Sequence, residues 1–408
     1  MSAHPSAGSF RSHRAVRAFG ALGAAALLAA LPVHAEFSPL STHPEGFGMP
    51  VAPMGARERA MGEGGMAAVN PRGFFLPNIS RAAWHDRTVF LASLEGDVDW
   101  LRDRNSSTRQ SSGGFPTLAT LFHTKIAGTF GVHYQQTYLR NFEVRAPATP
   151  GEPQAAYVTE GGVYGLGASW AYAPVSWLAL GLTHNIVLGR DRTIRPVTFD
   201  GVAPLEAEPL ADTTLETSST GRSTTVSTTI RLPASVDLAF SYTHPATLDV
   251  SRRRATGGQG SDPVADTTSS LPRAFAVGAG WKQGRRQTVV ADFFYEAWDD
   301  DGLRNPAWQA SAGYEFRASE SPFDGLLERT AWRAGGGYKV LYLREVPELF
   351  ATAGFGMPLG PRGHQLDVAV KYGHRRLDGN TFFQEDYLKV TASVTGVSVW
   401  GQPVRKRR

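Results

Sequence analysis

The chain has 408 residues, 44 of them glycine and none cysteine, with a formal charge of +4 at neutral pH. Three arginines near the start and the tail Arg405-Lys406-Arg407-Arg408 outweigh that charge and leave −3 over 36–404, so the basic balance belongs to the two ends and nucleic-acid binding has no support. No disulfide is available, and no apolar run after residue 35 approaches the roughly 18 residues of a membrane helix, so helical spans are excluded and burial and hydrogen bonding must hold the chain together.

Residues 1–35 read as a cleaved secretory signal. Arg11, Arg14 and Arg17 precede a short apolar run over 18–31, and Val33-His34-Ala35 is a small-x-small cleavage site. Residues 36–86 follow without strand periodicity. Within them, 54–80 is too apolar for an exposed arm and too broken by Gly62, Gly64 and Gly65 for a strand, which predicts a hatch folded inside a larger body. The alternative is a disordered periplasmic leader. Residues 401–408 form a basic periplasmic tail.

Strand candidates fill 87–400. The first, 87–101, puts Phe90, Ala92, Leu94, Val98 and Trp100 on one face and Glu95, Asp97 and Asp99 on the other. Carboxylates alternating with large apolar groups cannot share a soluble core without partners. Next come 116–126 and 128–144, then the two arms of 161–190 joined at Ala173-Pro174. In these arms Leu166, Trp170 and Tyr172, then Leu180, Leu182 and Ile186, form bulky ranks opposite small and polar ones. Period 2 means a strand with two environments, and each arm matches a tilted membrane strand of roughly 9–11 residues. A hairpin of a soluble sandwich is the alternative for this stretch alone. Further candidates are 219–232, 234–248, 270–282, 286–299, 308–317, 329–343, 348–357, 364–374 and 385–400. The Ser- and Thr-rich 219–232 reads equally as loop. The total is fourteen, even as in bacterial single-chain barrels. Long polar connections (102–115, 145–160, 191–218, 249–269) alternate with connections of one to three residues, as in barrels with long external loops and short periplasmic turns. The expected fold is an all-β transmembrane antiparallel β-barrel of about 14 strands, in the bacterial outer membrane, with the N-terminal hatch in its lumen.

The segment Ala56-Arg57-Glu58-Arg59-Ala60-Met61-Gly62-Glu63-Gly64-Gly65, with Asn70-Pro71 and Phe74-Phe75-Leu76-Pro77-Asn78 after it, resembles the hatch signature of the outer-membrane long-chain fatty-acid transporter family and its aromatic-hydrocarbon relatives. Asn78-Ile79-Ser80 stands where that family has Asn-Pro-Ala. Val289 to Trp298 and the closing strands are similar as well. The resemblance implies passive uptake of hydrophobic small molecules such as fatty acids or hydrocarbons, and a side exit through a wall defect. It makes Met61, Met66, Phe74 and Phe75 the candidate ligand-binding residues of the hatch, Gly62, Gly64, Gly65 and Asn78 the hatch motif, and Gly128 and Gly131 the candidate wall kink. Similar barrels also serve as carriers in protein secretion, which would add a secreted or periplasmic protein to outer-membrane lipid as a partner. A general polar porin is the third reading, resting on Glu95, Asp97 and Asp99.

Enzymatic chemistry has weaker support. His133 and His184-Asn185 lie on strands with no serine in a recognisable motif near them. Asp299-Asp300-Asp301-Gly302 lacks the twelve-residue calcium pattern, and Gly62 to Gly65 lacks the strand–helix context of a phosphate loop. No catalytic residue, metal or cofactor is expected.

Overall fold

The computed structural model describes residues 46–398, apart from 69–72, 103–106, 146–152, 200–212, 257–261, 299–303, 360–363, 378–382 and the single positions 125, 196, 285, 320, 322 and 344. The expected signal, the basic tail and the Asp299 to Gly302 stretch therefore lie outside the described residues. So does Asn70-Pro71.

Fourteen antiparallel strands form a closed barrel. They are β1 Thr88–Arg102, β2 Ser107–Thr124, β3 Gly128–Leu139 with its continuation Phe142–Arg145, β4 Pro153–Val175, β5 Leu178–Arg195, β6 Thr213–Leu232 and β7 Val236–Thr243 continued by Ala246–Thr256. After them come β8 Arg273–Gln283, preceded by Asp262–Leu271, then β9 Gln287–Ala297, β10 Ala307–Arg317, β11 Ala331–Val340, β12 Pro347–Pro358, β13 Gln365–Leu377 and β14 Phe383–Ser398. β14 closes the barrel on β1, from Gln384 opposite Arg102 to Ser398 opposite Thr88. Closure pairs each wall strand with its neighbours, as lipid demands, except along the upper part of the β2–β3 seam.

The alternation read from the sequence is the inside–outside alternation of the wall. Leu166, Trp170, Leu180, Leu182 and Ile186 are exposed on the outer surface, and Thr183 and Asn185 are buried in the lumen. On β1, Phe90 and Trp100 point out while Glu95, Asp97 and Asp99 are buried. So continuous an exposed apolar belt far exceeds what a water-soluble surface carries.

One reading left open is decided and one expectation is corrected. The Ser- and Thr-rich 219–232 is a full wall strand, with Val226 facing out and Ser227 and Thr229 facing in. The described residues of the supposed loops at 102–115, 145–160, 191–218 and 249–269 are largely strand. β2 starts at Ser107, β4 at Pro153 and β6 at Thr213, while Ala246–Thr256 and Asp262–Leu271 pair with each other. These extensions rise beyond the apolar belt, and Asp262–Leu271 is exposed on both faces over most of its length. Strands wet on both sides carry no apolar period to read.

Replacing Leu182 by Arg should destabilise the barrel in lipid by about 2–4 kcal/mol, as for a cation at bilayer mid-depth. Arg253→Ala on the extension should change stability by no more than about 0.5 kcal/mol. Urea titration in lipid vesicles compares the two, and equal effects would place the Leu182 rank in water.

Candidate functional site

The hatch runs down the lumen from the loop end of the barrel to the turn end. It starts with a two-residue strand, Met49–Pro50, passes through helix α1, Ala56–Ala60, and leaves by a 3-10 turn, Ile79–Trp84, into β1. Met61, Met66, Phe74 and Phe75 are all buried. Met61 packs with Ala68 on wall residue Val290, and Met66 with Ala239 and Ala276. Phe74, Leu76 and Ile79 meet Val89, Leu91, Leu121 and Ala171 near the turn end. Phe75 packs edge-on against Phe294, 6.3 Å between centroids, and borders the larger cavity. The other three candidates do not border that cavity and act as anchors. Burying each such side chain contributes about 1.5–3 kcal/mol, so apolar packing is the main force holding the hatch.

The glycines let the hatch backbone lie flush on the wall. Gly62 has φ +73, and a Cβ there would come 2.5 Å from the Ala312 carbonyl oxygen and 2.9 Å from the Gly336 backbone. Gly65 and Met66 donate their N–H groups to Asp292 of β9. Asn78 donates to the Met66 carbonyl at 2.6 Å and to Thr229 Oγ1 at 2.8 Å, and Ser80 Oγ bonds Asn78 Oδ1 at 2.6 Å. Asn78 thus ties two parts of the hatch to β6, although the residues after it depart from Asn-Pro-Ala.

A buried ionic network fixes the hatch register. Arg59 donates to Glu63 and to Glu95 of β1, and Glu95 also accepts from Lys389 at 2.7 Å. Lys371 of β13 bridges Glu63 and Glu348, each at 2.9 Å, and Arg375 joins Glu348 to Glu385 at 2.7 Å each. Arg57 and Arg333 share Glu315, and Arg333 reaches Asp367 at 2.6 Å. Burial alone would raise the Glu63 carboxyl, but Lys371 and Arg59 outweigh it and hold it well below the usual carboxylate range. Burial pushes the Arg81 guanidinium down to about 10, and it donates to the Gly65 carbonyl.

The wall is interrupted between β2 and β3, but not at Gly128 and Gly131. Gly128 opens β3 directly after the turn with φ +84, and the ladder runs unbroken past Gly131, from Thr124–Gly128 to Thr117–Gln135. There it stops. Pro116, the next residue of β2, has no N–H to offer. Above that point β2 stays with β1, and Met49–Pro50 takes its place beside β3, with Val51 N–H donating to Thr137 O at 2.8 Å. Behind this gap lies a cavity of about 40 Å³ lined by Arg59, Glu95, Asp97, Lys371, Lys389 and Gln136. A larger cavity of about 310 Å³, bordered by Phe75, Tyr138, Phe294, Glu296, Lys339 and Tyr342, lies above the hatch. Pro50, Val51 and Ala52 border both cavities. The loop end is capped by aromatics: Trp298 stacks on Tyr342 at 4.4 Å, and Phe47 and Tyr138 close on them. Tyr342 Oη accepts from Phe47 N–H and donates to Gly48 O, both at 2.9 Å.

A serine stands near His133 in space, 36 residues away in the chain and in no recognisable motif. His133 Nε2 is 2.8 Å from Asn185 Oδ1, and its Nδ1 is 3.3 Å from Ser169 Oγ, which meets Thr183 Oγ1 at 3.2 Å. Gly167 lies opposite both His133 and Asn185, and that cross-strand register is what brings the three side chains together. The backbone N–H groups of these strands are engaged in the ladder, so no paired donors face an oxyanion position. The set reads as a network that satisfies polar side chains of the lumen. His184 faces outward, with its Nδ1 2.9 Å from Thr224 Oγ1.

A model of the BamG family matches residues 34–405. The chain belongs to the BamG family. No curated protein matches it in sequence. In three dimensions the BamG-family barrel is similar to the Pseudomonas putida toluene transporter TodX, at 13% identity and TM-score 0.58, covering 88% of this chain and 100% of that one. It is also similar to a Pseudomonas aeruginosa FadL homologue, at 10% identity and TM-score 0.56, covering 85% and 99%. The family likeness read from the hatch motif is therefore met in the fold: a 14-stranded barrel of the outer-membrane channel type.

Within this BamG-family barrel the residues that sequence reasoning missed are the hatch partners on the wall, Glu315, Arg333, Glu348, Lys371 and Arg375. Their only signal was charge on the inward-facing rank of wall strands. Arg59→Ala leaves Glu63 with Lys371 alone and Glu95 with Lys389 and Thr391, so it should loosen the hatch by about 1–3 kcal/mol, as for buried acceptors that lose one donor. Amide hydrogen exchange over Ala56–Ala60 should speed up while β5 stays protected, whereas unchanged exchange would show the network to be dispensable.

Proposed function

We propose that this protein is an outer-membrane channel, and not an enzyme, for passive uptake of a hydrophobic small molecule. The observation that carries the reading is the cavity of about 310 Å³ held between the aromatic cap and the hatch, a volume in the range of small-ligand sites. Its apolar floor, Phe75 and Leu76, belongs to the hatch and its walls to the barrel, so a solute in it touches the element that must move for passage. The TodX structures, described as a toluene transporter and a monoaromatic hydrocarbon channel, support this class of solute. A lumen filled by a packed, ion-paired hatch does not suit an open polar pore. Export by the signal at 1–35 and residence among outer-membrane lipids complete the reading.

Phe75→Asp puts a charge in the cavity floor. Uptake of a fluorescent hydrophobic probe into cells should fall about tenfold, equivalent to 1.4 kcal/mol. Deleting 36–83 should also change uptake. Uptake unaltered by both changes would rule the reading out.

One observation favours a second reading, a carrier or scaffold for other proteins. The connection between β10 and β11 lies at the turn end, yet it folds around helix α2, Leu326–Arg329, and presents Phe323 (95% exposed) and Leu327 (76%) there. It is ordered by Ser319 N–H donating to Glu328 O at 2.8 Å and Thr330 Oγ1 donating to Leu326 O at 2.8 Å. A periplasmic protein with an apolar groove would dock there. Phe323→Asp with Leu327→Asp should abolish co-purification of such a partner without affecting probe uptake. A partner retained by the double variant would exclude this docking site.

A further inference from the structure

Three charged residues, Glu63, Lys339 and Glu296, border the larger cavity, and the first two belong to the hatch network. Glu296, on the inward face of β9, borders it. Its carboxylate accepts one hydrogen bond, from Trp298 Nε1 to Oε2 at 3.0 Å, and no described residue forms an ion pair with it. Lys339 also borders the cavity and acts on Glu296 through space, but its ammonium is turned to Glu348, 3.6 Å away, within the hatch network. Arg304 lies over the Trp298 ring at 5.7 Å and does not border the cavity. The rings around the carboxylate are electron-rich. Tyr138 and Tyr342 border the same space, and both meet Trp298, with centroids at 6.2 Å and 4.4 Å.

A carboxylate beside aromatic faces is what an ammonium group recognises. The carboxylate supplies the counter-charge, the rings supply cation–π attraction, and both gain when water is excluded. A fatty-acid carboxylate would instead bring a second negative charge against Glu296. We infer that the cavity binds an amphiphile through an ammonium head group seated at Glu296 between Tyr138 and Tyr342, with its apolar body against Phe75 and Phe294. This rests on the transport reading and narrows it: the preferred solute carries a positive charge.

The test uses three eight-carbon probes that differ only in the head group: octyltrimethylammonium, octanoate and octanol. Binding to the full mature chain in lipid nanodiscs is measured by calorimetry, with empty nanodiscs subtracted. Octyltrimethylammonium should bind about tenfold tighter than octanoate. Glu296→Gln keeps the acceptor for Trp298 and the side-chain shape, and it should abolish that preference while leaving octanol binding unchanged. Lys339→Gln should weaken octanoate and spare octyltrimethylammonium. Octanoate binding tighter than octyltrimethylammonium, or a cation preference that survives Glu296→Gln, would overturn the inference and leave the transport reading standing. No binding of any of the three would remove both.

Discussion

Arg59 sits between Glu63 on its own segment and Glu95 on the wall, and the placement of the hatch depends on that junction. A barrel lumen filled with protein has little room for water, so a charge buried there without a partner is costly. Arg59, Glu63 and Lys371 link the hatch to β1, β13 and, through Glu348, to β12. Such pairs gain little net stability once desolvation is counted, but a wrong partner leaves buried charges unmatched. The division of labour follows. Met61, Met66, Phe74 and Phe75 supply the driving force, and the ion pairs allow one register of the hatch against the wall.

The parts of this arrangement that sequence could show are those written in short-range order. The period-2 ranks of 161–190 gave the hairpin and its facing, because lipid outside and a polar lumen inside impose opposite chemistry on alternate residues. Ser219 to Leu232 was ambiguous because its inward residues serve hydrogen bonding to Asn78 and Ser80, and its outward face has few large apolar groups. The hatch was legible as a glycine-punctuated apolar segment. Its partners were not, since Arg59 and Glu95 are 36 residues apart and Lys371 is 308 residues from Glu63, with no local pattern connecting them. Gly128 and Gly131 permit a kink, but flexibility alone does not place the wall gap. It arises at Pro116, where a missing donor ends a ladder and the leading segment of the chain supplies the substitute.

The same leading segment serves the cap and the gap. Phe47 and Gly48 hold Tyr342 at the mouth, and Met49 to Val51 complete the wall beside β3. Five consecutive residues therefore close the loop end and the side at once, and a displacement that frees one frees the other. The gap leads first to Arg59, Glu95, Asp97 and Lys389. A pure hydrocarbon passing there would strip partners from ionised groups and offer nothing in return. A solute with a charged head and an apolar body would keep those groups paired while its body stayed against the strap Pro50 to Ala52, which borders both cavities. The cavity behind the gap carries both signs of charge, Arg59 and Lys389 beside Glu95 and Asp97, so it accepts a charged head without choosing its sign, and the choice rests with Glu296 in the larger cavity.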